Sequence, residues 1–372
     1  MVMWMVIFIT MFVFMIAGII YLISRVCKTE VIKSIFGKSK AVQRIIATVV
    51  VLILAVISYL VIGSINTAIA IVHTLIIWII IDIIVCIIEK KTHRKLNYNK
   101  VFTMAVLILV IYFGLGWYEA HHVVGTQYTV ETSKNIEELR IVQLTDAHIG
   151  TTFDGEGFAK EMQKVQSENP DIVVITGDYV DDDTSKEDMA RACEALGTLE
   201  ITYGVYYVFG NHDKGYSNED RGYGAEDLVR NLELNGVNVL QDETVLIGDS
   251  FYLIGRQDRS EESLSGKRAT VEELVQNLDK EKYMIMLDHQ PNDFDAQEKE
   301  EVDLVLSGHT HGGQFFPINY LGELTGENDM TYGLRKRENT TFIVSSGISD
   351  WAIKFKTGCK SEYVVVDIQP QS

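Results

Sequence analysis

Cysteine and proline are scarce, with four of each in 372 residues. No two cysteines form a CxxC pair, which excludes a disulfide scaffold and a zinc ribbon. Four prolines beside 28 glycines exclude a collagen-like or Pro/Gly-rich disordered chain. Internal repeats, low-complexity tracts and a nucleotide-binding Gly-rich loop are missing. Acidic residues are rare in one part of the chain only. Residues 1–118 hold 3 Asp+Glu against 11 Lys+Arg, and the remainder holds 48 against 22. The remainder has no broad basic patch, so nucleic acid is not expected as a partner. Its only basic clusters are Arg335-Lys336-Arg337 and Lys354, Lys356 and Lys360, read as an exposed hairpin and strand.

Long apolar runs fill residues 1–118. Met1–Ser24 is almost unbroken, and at about 1.5 Å per residue it is long enough to span a bilayer. Ile45–Ile88 is too long for one span and breaks at Gly63-Ser64-Ile65-Asn66. Val101–Tyr118 ends in Trp117 and Tyr118, which suit a membrane interface. This predicts a four-helix transmembrane region, residues 1–118, with helices over about 2–24, 45–63, 66–88 and 101–118. The basic loops 25–44 and 89–100 belong in the cytoplasm by the positive-inside rule. Multi-pass insertion then places the acidic domain outside the cytoplasmic membrane. His73 and Asp82 fall within the third span, and pairing with neighbouring helices is expected of them.

Residues 119–127 read as a polar linker containing His121 and His122, and 128–372 as one domain. Short β-rich runs occupy Leu139–Leu144, Asp171–Thr176, Val205–Phe209, Tyr283–Leu287, Val302–Leu306 and Thr341–Val344. Val237–Val245 and Phe251–Ile254 read as further strands. Helices are expected over Gly157–Glu168, Ser185–Leu196, Ala225–Leu234 and Thr270–Leu278. Alternating strand and helix predicts an α/β core, and the extra strand pairs predict two sheets.

Polar clusters end these runs: Asp146-x-His148, Gly177-Asp178-x-x-Asp181, Gly210-Asn211-His212-Asp213, Asp288-His289 and Gly308-His309-x-His311. Five of the nine histidines sit at these tips. In extended backbone i and i+2 point the same way, so Asp146 with His148, and His309 with His311, are pairs able to converge. Carboxylate, imidazole and carboxamide donors without thiolate suit Mn, Fe or Zn. Each glycine before a candidate ligand permits a tight strand exit. Cys193, beside Ala190 and Leu196, reads as a buried free thiol, with a Cys193–Cys359 disulfide as the alternative. Asn339-Thr340-Thr341 is a sequon, relevant only to a eukaryotic secretory route.

This motif set resembles the calcineurin-like metallophosphoesterase superfamily. Gly308–Gln314, GHTHGGQ, is similar to the bacterial membrane-associated branch that includes lipid-A-precursor pyrophosphatase-like enzymes. The resemblance covers roughly Tyr128–Ile368 and implies a four-layer αββα sandwich with two divalent metals, manganese favoured for activity. It implies Asp146, His148, Asp178 and His311 on one metal, and Asp178, Asn211, His289 and His309 on the other. His212 would be catalytic, with Asp213 orienting it, while Asp181 reads as structural. The implied reaction is hydrolysis of a phosphoester or pyrophosphate by a metal-held hydroxide. Many relatives carry Pro-x-Arg where this chain has Ala352-Ile353-Lys354, and lysine lacks arginine's bidentate fork for phosphate. The expected partners are the bilayer and a phosphorylated small molecule or lipid. The alternatives are a phosphodiesterase on soluble nucleotides and a non-catalytic sensor or scaffold.

Overall fold

The computed structural model describes residues 2–35, 39–215, 221–264, 266–316 and 319–371. The chain divides into two compact units, residues 1–115 with 352–354, and residues 116–351 with 355–372.

The first unit is helical: α1 (Val2–Val26), α2 (Glu30–Ile35), α3 (Lys40–Thr92) and α4 (Tyr98–His121). Here the structure departs from a count of four spans. Among the described residues two helices, α3 and α4, are long and apolar enough to cross a membrane, and a shorter apolar stretch runs over Phe12–Val26. The two middle segments both lie in α3, and the break expected between them is present at Gly63. Gly63 has φ 81° and ψ 176°, a positive-φ conformation open to glycine that interrupts the helix there. Leu60, Val61 and Val110 are 75%, 70% and 64% exposed. Apolar side chains left bare along whole helices suit lipid rather than water, so the chain is membrane-associated. Asp82 pairs with Arg25 and Tyr21, and the His73 Nδ1 lies 2.9 Å from the Ile69 carbonyl oxygen, so both polar groups have local partners.

The predicted linker over 119–127 is much shorter. α4 continues through His121, and β1 (Val124–Thr132) starts three residues later. The strands that follow are β2 (Leu139–Leu144), β3 (Ile172–Thr176), β4 (Val205–Val208), β5 (Val237–Val239), β6 (Glu243–Ile247) and β7 (Phe251–Gly255). They are succeeded by β8 (Tyr283–Leu287), β9 (Leu304–Ser307), β10 (Gly333–Arg337), β11 (Thr340–Val344) and β12 (Glu362–Pro370). Two six-stranded mixed sheets result, ordered β1-β12-β2-β3-β4-β5 and β10-β11-β9-β8-β7-β6. The single run read over Val237–Val245 is two strands in different sheets. The chain crosses between them at Leu240–Asp242, where Asp242 takes a positive φ of 58°.

Period-two alternation explains how the sheets stack. Ile141, Ile172, Val174, Leu253, Ile285, Leu304 and Ile343 meet in one core between the sheets. The intervening Val142, Val173 and Ile175 point the other way, onto Phe158, Met162, Met189 and Leu228 of the helices. On the far side, Met284, Met286 and Val305 pack against Val271, Val275 and Phe294. Strands buried on both faces read as continuous apolar runs, which is why they stood out in the sequence. Asp154 and Ser185 cap the helices Gly155–Ser167 and Lys186–Gly197, accepting from the amides of Gly157 and Asp188. Cys193 is fully buried and free, and burial pushes its thiol up to about 12. It should therefore react with a thiol reagent only after unfolding. Modification of Cys193 in the folded protein, mapped by mass spectrometry, would contradict this packing.

Candidate metal centre

The loops after β2, β3, β4, β8 and β9 converge, as loops at the carboxyl ends of parallel strands do. Asp146, His148 and His311 form one cluster, and Asp178, His289 and His309 a second. Within each, the candidate ligand atoms lie within 4.8 Å of one another. Asp178 Oδ2 stands 3.2 Å from His289 Nε2 and 3.7 Å from His148 Nε2, so one carboxylate reaches both groups. Asn211 Oδ1 lies 3.2 Å from His289 Nε2. All seven residues read as ligands from the sequence are thus brought together.

The backbone that achieves this is unusual. Asp146, His148, Asp178, His309 and His311 all have positive φ, between 37° and 70°. Such left-handed residues cost energy and cluster at functional sites. They also correct the idea that i and i+2 converge through extended backbone. His309 and His311 turn into different clusters, while Asp146 and His148 share one. Gly308 must be glycine for space, because a Cβ there would lie 2.0 Å from Thr145 Oγ1 and 2.4 Å from Asp146 Oδ2. Gly177, with φ 88°, would bring a Cβ within 2.7 Å of His289 Nδ1.

Hydrogen bonds fix which ring nitrogen faces inward. His289 Nδ1 donates to the Thr176 carbonyl at 2.7 Å, so Nε2 is the nitrogen turned inward, toward Asp178 and Asn211. His148 Nδ1 lies 3.1 Å from Asp181 Oδ2, and its buried Nε2 has no partner among the described residues. His311 Nδ1 is likewise buried without a partner. Burial and the neighbouring His289 push His309 down to about 4. Burial and His148 push His311 well below the usual imidazole range. Both rings are therefore neutral near pH 7, with lone pairs free for a cation. Burial opposes ionisation of Asp178, but the charge of His289 and its hydrogen bond hold this carboxyl well below the usual range. Burial likewise acts against protonation of His148 and His289, yet Asp181 and Asp178 respectively raise them. Filling the centre with metal must expel those protons, so loading strengthens as pH rises. Buried carboxylates among orphaned imidazole nitrogens are a donor set that two divalent cations fit.

Two residues play roles other than those read from the sequence. Asp213, expected to orient the His212 ring, has its carboxylate engaged by the backbone. Its carboxylate accepts the amides of Asp178, Tyr179, Val180 and Gly210 at 2.6–3.0 Å, so it ties the β3 and β4 loops together. Burial and the Asp178 charge push Asp213 up to about 6. Asp181, read as structural, has its Oδ2 3.1 Å from His148 Nδ1 and so fixes the ring of a candidate ligand. Asp181→Asn keeps the Oδ1 contacts to Asp183 and Thr184 but loses the charge on His148. Metal affinity should fall about 10–100-fold, read by competition with a chromophoric chelator. Unchanged affinity would make Asp181 structural only.

His212 is only half-buried, unlike most of the candidate ligands. Its amide donates to Asp178 Oδ1 at 2.8 Å, and its ring lies 5.2 Å from His148 and 6.0 Å from Trp351. Trp351 and Cys359, whose Sγ donates to the His311 carbonyl at 3.0 Å, were not legible as neighbours of the centre. Neither has a ligand-like spacing to the strand-end motifs.

A two-sheet α/β domain with paired Asp/His clusters at its strand ends defines a metal-dependent phosphoesterase, a hydrolase. Residues 139–313 match the family described as calcineurin-like phosphoesterase. An uncharacterized metallophosphoesterase of Helicobacter pylori is 31% identical over 269 residues, covering 72% of this chain and 70% of the relative. The chain belongs to the calcineurin-like phosphoesterase family. It is also 30% identical over 279 residues to a "transmembrane protein with metallophosphoesterase domain" of Danio rerio, spanning 70% of this chain and 62% of that one. Among solved structures it is similar to a dimetal phosphatase from Danio rerio, with TM-score 0.38 and 12% identity over 57% of this chain and 88% of the other.

Proposed function

We propose that this chain is a multi-pass membrane phosphoesterase that cleaves a phosphoester or pyrophosphate bond, with a lipid-linked phosphate as the preferred substrate class. The observation that carries the hydrolytic reading is the Asp178 carboxylate standing between the two Asp/His clusters. Two divalent cations held by these residues would supply charge neutralisation at a phosphoryl group and acidification of a water. Manganese is the favoured pair, on the carboxylate and imidazole donors. The ligands proposed are Asp146, His148, Asp178 and His311 for one ion, and Asp178, Asn211, His289 and His309 for the other.

The protein's own part is to hold these donors and to handle protons. His212, half-exposed beside the clusters, faces the substrate and protonates the leaving oxygen. Asp213 keeps the His212 loop in place through backbone amides. The membrane helices support a substrate presented at a bilayer. The charge excess of loops 25–44 and 89–100 supports cytoplasmic loops with the hydrolase domain on the opposite side.

The test is hydrolysis of bis-p-nitrophenyl phosphate by the full-length protein in detergent. Activity should appear with added Mn²⁺ and vanish with chelator. No hydrolysis by protein shown to hold metal would sink the reading for simple diesters. Equal turnover of soluble nucleotides and of lipid pyrophosphates in vesicles would remove the lipid preference.

A further inference from the structure

No step of the chemistry above uses Trp351, yet the loop that carries it, residues 345–351 after β11, is closely held. Ser346, Ile348, Ser349 and Asp350 are at most 1% exposed. The fully buried Lys356 ammonium donates to the carbonyls of Ser346 and Ser349 at 2.8 and 3.0 Å, and lies 3.4 Å from Asp350 Oδ1. Gln314, which closes the GHTHGGQ run, donates from Nε2 to the same Asp350 oxygen at 3.0 Å. From the β2 side, the Ile348 amide donates to the Thr145 carbonyl at 3.0 Å. Thr151 Oγ1 donates to the Trp351 carbonyl at 3.1 Å. Thr145 and Thr151 bracket the candidate ligands Asp146 and His148, so the loop is tied to the centre itself.

The indole is left open. Trp351 is 43% exposed, and its ring lies 6.0 Å from that of His212 at an angle of 37°. A single exposed apolar side chain is common and means nothing alone. Here the backbone under it is fixed by a buried polar network, and the ring stands beside the imidazole assigned to the leaving oxygen. An aromatic ring held in this way supplies apolar contact area at little ordering cost when a ligand arrives. Lys356 is buried against Asp350 and three polar partners, so the charge of this loop is spent within the protein and not on the substrate.

We propose that Trp351 is a specificity-determining residue that forms the leaving-group subsite. It selects phosphoesters whose leaving group carries an apolar face close to the bridging oxygen. An aryl ring and a hydrocarbon chain share that chemistry. The inference rests on the hydrolase reading and on His212 as its acid.

Competition tests it, using the full-length protein in detergent with Mn²⁺, bis-p-nitrophenyl phosphate as substrate and three slowly reacting phosphodiesters as inhibitors. The wild type should bind diphenyl phosphate about tenfold more tightly than dimethyl phosphate. Dibutyl phosphate separates the two sources of apolar surface. Inhibition equal to that of diphenyl phosphate shows that a chain suffices, and weaker inhibition shows that a flat ring is required. In Trp351→Ala the preference for diphenyl over dimethyl phosphate should disappear. KM for bis-p-nitrophenyl phosphate should rise about tenfold with kcat within about twofold, and metal content should stay unchanged. Trp351→Phe should restore most of the preference, which a merely structural role would not predict. Equal inhibition of the wild type by diphenyl and dimethyl phosphate would overturn the subsite. So would a preference unmoved in Trp351→Ala, or a loss confined to kcat and metal content. If the metal-loaded wild type hydrolyses no diester, the hydrolase reading fails separately. The preference is then read by calorimetry with the same three diesters on the wild type and both variants.

Discussion

Asp178→Ala should leave the protein folded but without measurable hydrolysis and with both metals lost together. The reason is geometric, since Asp178 Oδ2 reaches histidines of both clusters and Oδ1 accepts the His212 amide. Removing even an outer partner of a metal ligand costs about 10–100-fold, so losing a shared ligand should cost more than about 10³-fold in kcat/KM. Metal content by elemental analysis should fall from near two per chain toward zero. A variant retaining one tightly held ion would show that the clusters load independently and that Asp178 serves only one of them. Asp146→Ala is the useful comparison, because Asp146 stands in one cluster alone. Its loss should leave the second ion in place.

His212→Ala should show the opposite pattern, with metal content intact and turnover reduced about 10²–10⁴-fold, the range of a general acid. The side chain is in neither cluster, and its backbone amide donates to Asp178. The size of the effect should depend on the leaving group. A p-nitrophenolate departs without a proton, so the loss should be small with bis-p-nitrophenyl phosphate and large with an alkyl phosphodiester. An equal loss on both substrates would move His212 from proton donor to phosphate binding. Loss of metal in this variant would place the ring among the ligands instead.

Why so much of the centre was readable is plain from its construction. Each donor sits within a few residues of the end of a buried strand, so short local motifs carry the whole set. What could not be read depends on backbone dihedrals and on contacts distant in sequence. The family resemblance put His309 and His311 on different metals, but nothing in Gly308-His309-Thr310-His311 announces the left-handed turns that separate them. Asp213 adjoins His212 in sequence, which suggested a partner for the ring, yet four amides claim its carboxylate. Asp181 lies 33 residues from His148, so its hold on the ring is visible only once β2 and β3 are side by side. The run over 237–245 reads as one strand, although the polar stretch Gln241-Asp242-Glu243-Thr244 interrupts its apolar pattern where the chain crosses between sheets. In the helical unit the break at Gly63 was visible in the sequence, and the backbone is non-helical there.

The strand order carries a consequence for biosynthesis. β12 lies between β1 and β2, pairing in parallel with the first strand of the domain and antiparallel with the second. When the ribosome has made residues 124 to about 360, β1 has no neighbour to pair with, and β2 has an open edge. The two strands can be brought into one sheet only after residues 362–370 emerge. The early chain therefore waits, with an unpaired and apolar edge, for the last piece of its own sequence. Such an edge is a natural client for a chaperone during synthesis.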